Sequence, residues 1–121
     1  MTPDFSNKRP IIDSVLYMLF IFIISSISYP SEKIFISWEM QNVLHIPLYG
    51  VLAFLWMRAF YYNKAGFRDA VMYTFIIAVL YAVFDEYHQS FVPGRDASAA
   101  DVLFDVIGSV AGIFIYRYRK K

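Results

Sequence analysis

The chain alternates long apolar runs with short polar breaks. Four apolar segments stand out, at 11–29, 46–62, 70–84 and 102–116. The first two are long enough to cross a hydrocarbon core as helices. The last two hold about 15 uncharged residues each, roughly 22 Å of helix against a core of about 30 Å. Tyr73, Tyr81, Tyr116 and Arg117 can extend them through the interfaces by anchoring and snorkelling. The pattern predicts an all-α fold, an integral membrane four-helix bundle.

Breaks in the pattern set the expected boundaries. Residues 1–9 form a polar lead, and Pro30-Ser31 ends the first helix. The stretch from Ser31 to Leu44 carries Trp38 and scattered apolar residues. It reads equally as an interfacial segment or a plain connecting loop. The second helix is expected from near His45 to Tyr62, stopped by Asn63-Lys64-Ala65-Gly66. A third runs from near Phe67 to about Gln89, where Pro93-Gly94 breaks the chain. Asp96 or Ser98 can cap the fourth. The domain scheme is a lead at 1–9, a membrane domain at 10–117 and a basic tail at 118–121.

Composition supports lipid contact. The 121 residues are 59% hydrophobic, with a mean hydropathy of +0.47. A soluble domain is nearer half apolar, and so short a chain has too much surface to hide the excess. A net charge of +1 gives no sign of nucleic-acid binding, and the lack of cysteine excludes thiolate chemistry. Lys8, Arg9, Arg58, Lys64, Arg68, Arg117, Arg119, Lys120 and Lys121 fall on one side if all four segments span. Only Lys33 and Arg95 fall on the other. The positive-inside rule then puts both termini in the cytoplasm. Lys8-Arg9, the following apolar run and Ser26 and Ser28 also resemble a signal peptide, but the run continues well past a typical signal core.

Against this background the polar residues of 86–112 are conspicuous. Glu86 and Gln89 lie one helical turn apart, with Arg95 beyond the Pro93-Gly94 turn. Asp101, Asp105, Gly108 and Gly112 recur at helical spacing on one face. Carboxylates on an apolar helix are costly to bury unless paired or functional. His45 and Tyr49, four apart at the outer end of the second helix, join the group. Arg95 is the natural partner of Glu86 or Asp101, because its fork grips a carboxylate or phosphate at two points. Gly108 and Gly112 let a neighbouring helix approach closely. His45, Glu86, His88, Asp101 and Asp105 have the atoms to ligate a metal. No His-x-x-x-His or Glu-x-x-His spacing is present, so no metal or other cofactor is expected. No Ser-His-Asp order or phosphate loop is recognisable.

The run Glu86-x-x-Gln89-x-Phe91-x-Pro93-x-Arg95-x5-Asp101-x3-Asp105-x2-Gly108-x3-Gly112, with His45 and Tyr49 upstream, resembles the VanZ-like family. The resemblance covers about residues 11 to 117. It implies a small bacterial membrane protein with four or so spans, in the cytoplasmic (inner) membrane. The family's namesake is linked to resistance to the glycopeptide teicoplanin. Two positions depart from the family pattern: Gln41-Asn42 stands where an Asp-Lys pair is common, and Asp105 where Asn is common.

Together these readings predict an outward-facing polar cavity lined by His45, Tyr49, Glu86, Gln89, Arg95, Asp101 and Asp105. It would engage the head group of a membrane lipid or lipid-linked envelope precursor and contribute to glycopeptide tolerance. Two alternatives share the same residues. In one, His45 or Glu86 acts as general base of a membrane enzyme on that substrate. In the other, the polar groups only hold the bundle together. The oligomeric state is left open.

Overall fold

The computed structural model describes residues 6–25, 38–91 and 99–120. These form four helices, α1 (Lys8–Ser25), α2 (Trp38–Tyr62), α3 (Phe67–Gln89) and α4 (Ala99–Lys120), with no strand among the described residues. The fold is all-α. Helix α3 has the expected bounds. Helix α2 starts seven residues before His45, so from Trp38 onward the expected loop or interfacial segment is helix. Pro47 lies inside α2, where a missing N–H and a bulky ring usually break a helix. Good helix formers on its N-terminal side, Met40, Gln41 and Leu44, favour continuation through it. The expected stop at Pro30-Ser31 and the caps Asp96 and Ser98 lie outside the described residues.

The turn between α2 and α3 is closed by hydrogen bonds. The Ala65 N–H donates to the Phe60 carbonyl at 3.0 Å and the Lys64 N–H to that of Tyr61 at 3.1 Å. This is the Schellman pattern, which needs one left-handed residue. Lys64 takes that role, at φ 70°, although Gly66 is two residues away. The fully buried Asn63 side chain donates to the carbonyls of Asn7 (2.9 Å) and Ala59 (2.8 Å). It also accepts the Asn7 N–H at 2.7 Å. Asn7 is therefore tied to the α2–α3 turn, and α1 begins at Lys8, inside the expected polar lead.

Helices α2 and α4 run parallel and approach most closely. A Cβ on Gly108 would lie 2.1 Å from the Ile46 carbonyl oxygen, and one on Gly112 would lie 2.1 Å from that of Gly50. Only glycine fits at such a crossing. Helix α3 packs antiparallel to both through a stripe of small residues, Ala70, Thr74, Ala78 and Ala82. Helix α1 covers α2 and α3, with Arg58 reaching Asp13 at 3.3 Å and Phe22 stacked on His88 at 4.4 Å.

The bundle's outside is apolar. Leu80, Leu103 and Ile115 are each about 60% exposed, and Leu16, Phe20 and Ile23 on α1 are also open. Among the described residues one helix, Phe67–Gln89, is long and apolar enough to cross a membrane. Charged residues fall within all four helices, Asp13 in α1, Arg58 in α2, Asp85 and Glu86 in α3 and Asp105 in α4 among them. Every described Lys and Arg sits towards one end of the bundle, at the start of α1, the α2–α3 turn or the end of α4.

Candidate functional site

At the opposite end, α2, α3 and α4 each turn a polar side chain inward. The stripe that seats α3 continues from Ala82 to Asp85 and Gln89, both buried. With 3.6 residues per turn, Asp85 falls in the middle of that stripe, and Glu86 is about 100° further round. Glu86 is accordingly half-buried, while Asp85 is only 2% exposed. On α2, His45 and Tyr49 lie one turn apart, their rings nearly parallel at 6.2 Å and 6°. On α4, Asp105 is 1% exposed and directly precedes the glycine crossing with α2.

These groups interlock. His45 Nδ1 lies 2.7 Å from Asp105 Oδ1. An ionised carboxylate only accepts, so in this bond the imidazole nitrogen donates. The Tyr49 hydroxyl donates to Asp85 Oδ2 at 3.2 Å. One ligand atom from each of His45, Asp85 and Asp105 lies within 4.8 Å of the others. Two carboxylates that close, both buried, repel unless positive charge or a proton intervenes. The close α2–α4 contact, maintained by Gly108 and Gly112, supports the His45–Asp105 distance.

Of the residues expected to line one cavity, the structure gathers His45, Tyr49 and Asp105, and buries Gln89 one turn beyond Asp85. Glu86 is displaced to the flank of α3. Arg95 and the side chain of Asp101 lie outside the described residues, and with them the expected pairing of Arg95 with Glu86 or Asp101. His88 belongs to the α1–α3 packing, stacked on Phe22. The residue missed from sequence is Asp85. Its signal was the spacing Ala70-Thr74-Ala78-Ala82-Asp85-Gln89, which follows the small-residue face of α3.

Beside the cluster, between α2 and α4, runs an apolar groove of about 380 Å³. Gly50, Gly108 and Gly112 line it with Ile46, Val51 and Ile115. Ile46 follows His45 in α2, and Gly108 is one turn beyond Asp105, so groove and cluster adjoin.

A family model described as VanZ/LLP1 matches residues 3–120, nearly the whole chain. No curated protein and no solved structure matches it.

Proposed function

The chain belongs to the VanZ/LLP1 family, and from that membership we propose that it is a four-span protein of the bacterial cytoplasmic membrane with both termini inside. Its polar cluster faces the outer leaflet and holds the head group of a lipid or lipid-linked envelope precursor. Through that contact it contributes to tolerance of teicoplanin-type glycopeptides. The observation that carries this reading is the buried His45–Tyr49–Asp85–Asp105 cluster at the end of the bundle away from the basic residues. The exposed apolar sides suit lipid, and the charge asymmetry suits the positive-inside rule. The adjoining apolar groove supplies a seat for an acyl chain whose head group reaches the cluster.

Two experiments test it. A reporter fused after Lys121 should read cytoplasmic and one inserted at Gly94 should read outside; a cytoplasmic Gly94 overturns the orientation. Native mass spectrometry of the gently extracted protein should show a retained lipid that is lost on Tyr49→Phe combined with Asp85→Asn. Equal lipid retention by both forms removes the cluster from the reading.

The imidazole–carboxylate contact of His45 with Asp105 favours one second reading, a membrane hydrolase or transferase in which Asp105 orients His45 as general base. Turnover of a labelled lipid-linked envelope substrate, abolished by His45→Gln, separates it from binding alone.

A further inference from the structure

We propose that His45, Asp85 and Asp105 form a site for a single divalent transition-metal cation, of the class of Zn²⁺. Three observations converge on it. Each residue comes from a different helix, and each is buried. One ligand atom from each lies within 4.8 Å of the other two, and His45 Nδ1 is 2.7 Å from Asp105 Oδ1. Atoms bound to one such ion at about 2.1 Å stand roughly 3–3.5 Å apart. Side-chain adjustments of about an ångström or less therefore bring all three into its coordination sphere.

Charge selects the kind of ion. Two carboxylates and a neutral imidazole carry two negative charges, and a divalent cation cancels them in a place where net charge is costly. The imidazole nitrogen directs the choice away from Mg²⁺ and Ca²⁺, which take oxygen ligands, and towards borderline ions such as Zn²⁺. Binding at Nδ1 replaces the His45–Asp105 hydrogen bond, and the single proton of the neutral imidazole then sits on Nε2. Tyr49, donating to Asp85, fixes the orientation of that carboxylate. Sequence spacing could not show this site, because its ligands are contributed singly by three helices. Three protein ligands also leave a coordination position open. An anionic oxygen of a head group would fill it; that last step rests on the function proposed above.

The test uses the full chain in detergent, purified without chelator and delipidated. After equilibration with Zn²⁺ and removal of excess, elemental analysis should find one ion per chain. Co²⁺ in its place should give visible d–d absorption bands. Asp85→Asn and Asp105→Asn should each weaken binding at least tenfold, while Asp69→Asn, at the far end of α3, should leave it unchanged. Should the Asn variants fail to fold, the wild-type protein still decides the matter. Its unfolding temperature should rise with added Zn²⁺ and fall back with EDTA, as mass action requires. Wild-type protein with less than about one ion per ten chains and no Zn²⁺-dependent rise overturns the site, as does equal binding by Asp69→Asn and Asp85→Asn. Lipid retention is measured separately, so a metal-binding protein that retains no lipid refutes the head-group reading and leaves the cation site standing.

Discussion

The glycines of the α2–α4 crossing provide the sharpest test of the packing, because alanine changes them by one methyl group. At Gly112 the new Cβ would lie 2.1 Å from the Gly50 carbonyl oxygen. A carbon–oxygen contact is comfortable from about 3.3 Å, so the helices must part by roughly 1.2 Å. Both partners are helical backbone, and neither can swing aside as a side chain could. Overpacking of this kind costs about 1–3 kcal/mol, and the rigid partners place it near the upper end. Alanine returns about 1 kcal/mol through its better helix propensity. The net loss expected for Gly112→Ala is therefore about 2 kcal/mol.

Gly108→Ala should lose at least as much. Its Cβ meets the Ile46 carbonyl at 2.1 Å, one turn from Asp105, so the same separation stretches the 2.7 Å contact of Asp105 with His45. Gly50→Ala meets the Gly108 carbonyl at 3.2 Å, and propensity offsets the small adjustment, giving a change near zero. At Gly66, with φ −65° and nothing within 4 Å, alanine should also be close to neutral. Thermal unfolding in detergent, followed by tryptophan fluorescence, reads the series. Gly108→Ala and Gly112→Ala should melt on the order of 5–10 °C lower, with the other two near wild type. A neutral or stabilised Gly112→Ala would refute the close crossing.

Other changes follow from single contacts, each read in the same unfolding assay. Asn63→Leu should destabilise by about 1–2 kcal/mol, because it removes the hydrogen bonds of a fully buried side chain, among them those that tie Asn7 to the turn. Lys64→Gly should stabilise by about 1 kcal/mol by relieving the left-handed backbone at φ 70°. Thr74→Val should be neutral or slightly stabilising, since the Thr74 hydroxyl is buried with no hydrogen-bond partner. For the cluster, a double-mutant cycle of Tyr49→Phe and Asp85→Asn should show a coupling of about 1 kcal/mol. Strict additivity would mean that the hydroxyl and the carboxylate do not interact.

The four apolar runs and the bounds of α3 were legible because periodicity and turn residues agree there. The start of α2 was not, because the polar composition of Glu39, Gln41 and Asn42 masks a helix that forms before the apolar run begins. The site was partly legible. His45, Tyr49 and Asp105 stood out as polar residues at helical spacing, and their convergence needed only that the helices pack on those faces. Between Asp85 and Glu86 the choice depends on which way α3 is rotated. The alanine stripe records that rotation, whereas the family-like motif draws attention to Glu86. No spacing rule can reveal that His45, Asp85 and Asp105, one each from α2, α3 and α4, converge.

Asp105, where the resemblance to the family leads one to expect Asn, acquires a physical meaning in this setting. An asparagine at 105 could still accept a hydrogen bond from His45 through its carbonyl oxygen. Asp85 would then be the sole carboxylate among the three clustered groups, and one positive charge would balance it. With Asp105 the same buried volume holds two carboxylates, one against His45 and one against Tyr49. The phenol donates a hydrogen bond but no charge, and a protonated imidazole offsets only one of the two. An anionic head group approaching such a cluster meets net negative charge. It can bind only if a further cation, Arg95 or a metal ion, stands between it and the carboxylates. The proposed head-group binding and the proposed cation site would therefore be linked by electrostatics, with Asp105 setting how much positive charge this end of the bundle needs.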